Sequence, residues 1–292
     1  MTTGAGLPQV ALDRLARASI SGVRTSLLSV PSAASAKVVG LDPIGEVMGC
    51  IVQHVGWQGW SGCGYWRGPS NLQTTQFGSY QPYVDAVRHG YDTALRRLAD
   101  EAKLLGADGV IDIRLSVTML GRDNYEYVAL GSAVRLGDAR SGLGTFPVAL
   151  PVPFLTELSG ADVAKLMLAG WMPTAIVYGI ALAVRHDDWL TTRQTQGWAN
   201  AEVTGFTELS GHVRHQARKI VTAQTAQKAA GGALITSSSM RIWEQEPSDG
   251  HRDHLAECRM FGAAVVRFPR PGVRPGPPPL SYLPLNTRTG ER

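Results

Sequence analysis

One motif occurs twice in this chain, and that repetition constrains the fold more than any other feature. GLDPIGEVMG (40–49) and GWMPTAIVYG (170–179) align without a gap at an offset of 130 residues, so that Gly40, Pro43, Val47 and Gly49 match Gly170, Pro173, Val177 and Gly179. Each copy runs on as an apolar strand, CIVQHV in the first and IALAV in the second. In the first half, Val84, Val87, Leu95, Leu98, Ala102 and Leu105 recur largely at helical spacing from Tyr83 to Leu105, and Gly106 ends the run. GVIDIRLSVTML then reads as a strand, a turn falls at Gly121–Asn124, and YEYVALGSAVRL makes a second strand. In the second half, Phe206, Leu209, Val213, Ala217, Ile220 and Val221 mark a helix over 206–230, closed by Gly231 and Gly232. ALITSSSMRIW reads as a strand, EQEPSDGHRDH as a polar turn and ECRMFGAAVVRF as a strand whose FGAAVVRF matches LGSAVRL. Order, spacing and motif agree, which points to a duplication. The predicted fold is α+β, with two tandem β-α-β-β repeats, each a small antiparallel sheet packed by a long helix.

The predicted organisation follows. Residues 1–25 form an N-terminal arm, 26–136 the first repeat, 137–153 a Gly/Pro-rich linker, 154–268 a diverged second repeat and 269–292 a Pro-rich disordered tail. The arm has no signal-peptide core, because Asp13, Arg14 and Arg17 interrupt it. Residues 166–184 are nineteen in a row without a charge, which is long enough to span a membrane as a helix. Three features argue for another reading. Ser159 and Asp162 form a helix N-cap pair, Gly170 stops that helix, and Pro173 opens a buried strand rich in Val, Ile and Tyr.

Charge separates the partner classes. The net charge of +4 comes mostly from residues 269–292, which hold four Arg and one Glu. The body therefore lacks the basic excess of a nucleic-acid binder, and no nucleic-acid or membrane partner is expected. Three cysteines in 292 residues rule out a disulfide scaffold and fit a cytoplasmic location.

Three stretches identify a relative. GEVMGCIVQHV, ALRRLADEAKLLGADGVIDIRLSV and ALGSAVRL resemble the YbjQ-like family, which is described as heavy-metal-binding. Gly45, Glu46, Gly49, Glu101, Ala102, Leu105, Gly106, Ala107, Asp108, Gly131, Ala133 and Val134 hold the match. The resemblance implies small β-α-β-β units that assemble into rings, and a divalent heavy metal as a possible cofactor. The chain departs from the family pattern at Arg114 and Ser116, where acidic residues are common. In the second half, Ala175 and Ile176 replace Gly45 and Glu46, so any role of Glu46 belongs to the first half alone.

Two donor sets can be examined for a metal. Cys50 and His54 with Cys63 form the first, and His251, His254 and Cys258 the second. Cys50 and His54 lie four residues apart on a predicted strand, which separates them by about 13 Å, and the same distance problem applies to His254 and Cys258. No CxxC, HExxH, EF-hand or GxSxG spacing is present. The loop after the first strand is rich in Gly and aromatic residues. Trp57, Trp60, Tyr65 and Trp66, together with Glu46, are candidate ligand or interface residues. The reading that results is a non-enzymatic, ring-like homo-oligomer binding a heavy metal or small ligand at repeat interfaces. A ligand-free scaffold is the alternative, and an enzyme using Cys63 in its loop is third.

Overall fold

The structure is a computed structural model that describes residues 7–21, 25–56, 80–121, 123–137, 153–186, 188–196, 200–248 and 251–267. In chain order the elements are α1 (Gln9–Ser21), α2 (Val30–Val38), β1 (Leu41–His54), α3 (Gln81–Leu104), β2 (Gly109–Gly121), β3 (Asn124–Leu136) and β4 (Phe154–Leu155). There follow α4 (Gly160–Leu168), β5 (Trp171–His186), α5 (Trp189–Thr195), α6 (Thr204–Gln227), β6 (Gly232–Ser248) and β7 (His251–Arg267). The class is α+β. The first sheet has the order β1-β3-β2-β4, with β4 parallel to β2 and the other pairs antiparallel. The second has the order β5-β7-β6 and is antiparallel throughout.

Local chemistry explains the element ends. The Ser159 hydroxyl accepts the Asp162 amide at 3.2 Å, so the predicted cap starts α4. Ser29 caps α2 in the same way, with Pro31 in the first turn. Both short helices end on a glycine in the left-handed region, Gly40 at φ 75° and Gly170 at φ 82°, where a Cβ would be strained. A register shift falls at Pro43/Gly45 on β1 and at Pro173/Ala175 on β5, since proline lacks the amide that continues the ladder.

Packing gives four layers: first sheet, α3, second sheet, α6. Val47, Val110, Ile113, Tyr127, Ala129 and Ala133 of the first sheet press on α3 from one side, and Ile176, Tyr178, Ile180 and Leu182 of β5 press on it from the other. Val177, Ala181, Ala256, Cys258 and Met260 turn to the opposite face and pack on α6 through Leu209, Val213, Ala217 and Val221. A further core joins α2 and α4 to the ends of both sheets around Phe154, Met167, Trp171 and Met172.

Two sequence expectations change. The predicted polar turn over 244–254 is mostly strand, because β6 and β7 continue as a ladder through Glu244↔His254 and Gln245↔Asp253. Its polar side chains pair with one another, as Arg252 and Glu244 do at 3.7 Å, and Asp253 pairs with His186 of β5 at 2.7 Å. The strand after the first motif buries mainly one face, and Val52 is 57 % exposed. β5, in contrast, is buried on both faces, as its unbroken apolar run predicted. Among the described residues no helix is long and apolar enough to cross a membrane; the uncharged run 166–184 is the end of α4 and most of β5.

Candidate assembly surface

The seam between α3 and the second sheet shows what an interface in this fold requires. Tyr91 of α3 lies at its centre, with its ring 5.2 Å from Tyr127 below and 5.2 Å from Phe261 above. Beside it, Arg259 donates to the Glu257 carboxylate at 2.6 Å and to the Tyr91 and Tyr83 hydroxyls at 3.3 and 3.4 Å. Burial opposes the Arg259 charge, but the Glu257 carboxylate together with the Tyr91 and Tyr83 oxygens outweighs it and holds the guanidinium above its ordinary range. Burial together with the negative Glu257 raises the Tyr83 phenol to about 12. The seam is thus an apolar, aromatic face with one internally neutralised charge pair.

The outer face of the first sheet is the positional counterpart of that buried face. Met48, Cys50 and Val52 on β1 stand opposite Leu130, Val128 and Glu126 on β3. On β5 and β7 the matching places hold Tyr178, Ile180 and Leu182 opposite Phe261, Arg259 and Glu257. The inner set is covered by α3. The outer set is half-buried or exposed among the described residues. Part of it lies beneath α1, where Arg14 reaches the fully buried Glu101 of α3. Glu101 also accepts the Met48 amide. In the second half Gln224 accepts the Tyr178 amide at 2.9 Å and takes the same place.

The two long helices differ in the same sense. On α6 the buried residues are Gly205, Leu209, Val213, Ala217, Val221 and Thr225, with Ser210, which is one stripe of fourfold spacing. On α3 the stripe of Val87, Ala94, Leu98, Glu101 and Ala102 is joined by Tyr83, Tyr91 and Leu95 on another side. Where α3 meets the second sheet, α6 presents Arg214, His215, Arg218 and Lys219 exposed.

The sequence-predicted residues distribute unevenly over this surface. Glu46 and Cys50 lie on the outer face of β1, half-buried; His54 ends the strand on that face, exposed, 3.2 Å from the Asn124 side chain. His254 and Cys258 are buried on the α6 side of β7, and the His254 ring packs on Phe206 at 4.8 Å. Burial raises the Cys258 thiol, and the side chain packs in the core beneath α6. Cys63, Trp57, Trp60, Tyr65, Trp66 and the side chain of His251 lie outside the described residues. Cys50 and His54, like His254 and Cys258, are four strand residues apart, about 13 Å, so neither pair can share one ion. Among the described residues no group of three His, Cys, Asp or Glu side chains could hold a metal, and these residues do not by themselves fit the implied heavy metal. Sequence reasoning missed the Tyr83–Glu257–Arg259 cluster. Its signal is available in the motif alignment, where Met48 faces Tyr178 and Val128 faces Arg259.

Comparison with known proteins agrees with the sequence resemblance. Residues 68–137 match the YbjQ family, described as "Putative heavy-metal-binding". The encapsulin nanocompartment protein of Mycobacterium tuberculosis is 33 % identical over 175 residues, which cover 59 % of this chain and 60 % of that protein. The UPF0145 protein of Enterococcus faecalis is 36 % identical over 66 residues, covering 23 % of this chain and 64 % of its own. That of Shewanella frigidimarina is 28 % identical over 102 residues, covering 34 % and 87 %. The chain spans about three fifths of the length of the first curated relatives it matches, 60 % and 62 % for two of them. Residues 68–137 thus carry a likeness to the YbjQ family, in agreement with the resemblance read from the sequence.

Proposed function

We propose that this chain is a non-enzymatic, self-assembling protein made of two fused β-α-β-β units. In the assembly, α6 of one copy seats on the outer face of the first sheet of the next, as α3 seats on the second sheet within the chain. One observation supports this above the others: α3 is packed between two sheets, whereas α6, of equal length, has one sheet and an exposed opposite face. A contact of that kind is head-to-tail, and repeating it closes a ring when the rotation allows. The relative named as an encapsulin nanocompartment protein supports an assembly role. Trp57, Trp60, Tyr65 and Trp66 follow directly on β1 in the chain and, in this reading, add contacts to the same interface.

The family description favours a second reading, in which a heavy metal or small ligand is held between copies. Its donor in one copy is Glu46, Cys50 or His54, since these stand four strand residues apart in turn and lie too far from one another to share an ion; groups from a neighbouring copy complete the set, and the buried His254 and Cys258 stay outside it. Light scattering on the eluting protein, with metal content measured on the same fractions, tests both. A defined oligomer that Val128→Glu converts to monomer is the expected result. A wild-type monomer refutes self-assembly, and an oligomer free of metal and ligand leaves the scaffold alone.

A further inference from the structure

The seat proposed for a second copy is already partly taken by the chain itself. On the second sheet, Asp92, Leu95, Arg96 and Ala99 of α3 border a cleft with Ala175, Ile176, Tyr178 and Gln224. On the first sheet, Leu7, Val10, Ala11 and Arg14, in and just before α1, border a cavity of about 100 Å³ with Met48, Gly49 and Cys50. Met48 takes the place of Tyr178, and Glu101 that of Gln224, since each pair makes the same backbone contact. Residues 7–14 therefore lie against β1, the edge strand of the first sheet, at the positions that α3 borders on β5 of the second, with Arg97 of α3 closing the same cavity.

The fit of α1 is poor in ways that the fit of α3 is not. None of its described side chains is buried, and Val10 is 74 % exposed, whereas Tyr83, Tyr91, Leu95 and Leu98 of α3 are buried. Its specific anchor is the Arg14–Glu101 ion pair, with the Arg14 side chain one third exposed. Val52, Glu126 and Val128 are not among the residues that meet it at this cavity.

We infer that α1 is an intramolecular competitor for the docking face, held by Arg14 on Glu101, and that a second copy's α6 seats on the first sheet only after α1 has moved aside. This inference rests on the self-assembly reading and adds its regulation. Apparent affinity between copies is then reduced by the fraction of chains whose α1 is off the sheet.

Ala11 and Cys50 border the same cavity, so a disulfide can test the inference. The full chain carrying Ala11→Cys and Cys63→Ser is oxidised with glutathione disulfide, which takes up the two thiol hydrogens as the bond to Cys50 forms. Intact mass confirms the bond, and sedimentation velocity follows association before and after reduction. The expected result is a locked form whose association is at least about tenfold weaker than that of the same protein reduced. Failure of both this bond and a short bismaleimidoethane bridge between the same two cysteines to form overturns the placement of α1. A locked form that associates as well as the reduced one overturns the competition and leaves self-assembly standing. A chain that stays monomeric in both forms, and as wild type, refutes self-assembly and this inference with it.

Discussion

Arg259 donates through Nε to Glu257 at 2.6 Å, from two residues along the same face of β7, and both are covered by α3. The Glu257 side chain is 4 % exposed and that of Arg259 24 %, so neither charge has bulk water as its main partner. Removing one member leaves the other charge buried without compensation, at a cost of about 3 kcal/mol. Arg259→Ala is therefore expected to lower the unfolding free energy, measured by urea titration, by that amount. Glu257→Leu with Arg259→Met, which removes both charges while keeping their volume, is expected to recover most of the loss. If the double variant is as unstable as the single one, the pair is needed for more than mutual neutralisation.

Gly49 and Gly179 are where each central strand meets its own long helix. A Cβ at Gly49 would collide with the Ala94 backbone, and one at Gly179 with the Ala217 backbone. Neither obstacle is a side chain that can swing away. Gly49→Ala and Gly179→Ala are each expected to cost about 2–3 kcal/mol, because the helix must lift from the sheet. Gly211, on the exposed face of α6, has nothing within 4 Å of the same position. Gly211→Ala is expected to stabilise by about 0.5–1 kcal/mol through helix propensity alone. Thermal unfolding of the three variants side by side checks the contrast.

The sequence made the backbone elements legible where a local physical signal existed. The Ser159–Asp162 cap, the stop at Gly170 and the doubly buried β5 all follow from residues within one turn or one strand. α2 was not foreseen, although Ser29 and Pro31 mark its start by the same rules as α4. The turn expected over 244–254 failed for a different reason. Its charged residues looked like solvated loop, but they pair across a ladder that extends beyond the apolar core, and such pairing is set by register between distant segments. The candidate surface was legible only as a family expectation. The contrast between one buried stripe on α6 and more than one on α3 depends on which sheet covers each helix, and apolar spacing along either helix does not state it.

Glu101 gives a pH dependence with a definite sign. Burial raises its pKa above the ordinary 4.5, and the Met48 amide and Arg14 offset this only in part. A carboxyl with a raised folded pKa contributes stability that is fully present below its unfolded pKa and is lost as pH rises through the folded value. Glu101→Gln removes this loss, and Gln224 beside Tyr178 shows that a neutral amide serves the same backbone contact. The stability of the variant relative to wild type is thus expected to rise with pH from about 4.5 and to level off above the raised pKa. Urea titrations of both proteins at a series of pH values measure that difference. A difference independent of pH would show that Glu101 titrates as an ordinary carboxyl.

The proposed contact between copies also makes a prediction about charge. In the internal seam the sheet supplies both members of the pair, Glu257 and Arg259, and the helix supplies Tyr91. At the matching places on the outer surfaces the sheet has Glu126 beside Val128, and the helix has an exposed Arg214. The cation has moved from strand to helix, so in the proposed contact the carboxylate on the first sheet meets its partner on the docking α6. Arg214→Glu is expected to weaken self-association about tenfold by setting two carboxylates against each other. Adding Glu126→Arg to the same chain reverses both charges and is expected to restore association to near the wild-type level. Each single variant should keep the wild-type unfolding temperature within a degree or two, since both positions are surface sites in the separate chain. Sedimentation velocity on the two single variants and the double variant completes the cycle. If the double variant associates no better than the singles, Arg214 and Glu126 do not meet, and α6 docks elsewhere on the sheet or not at all.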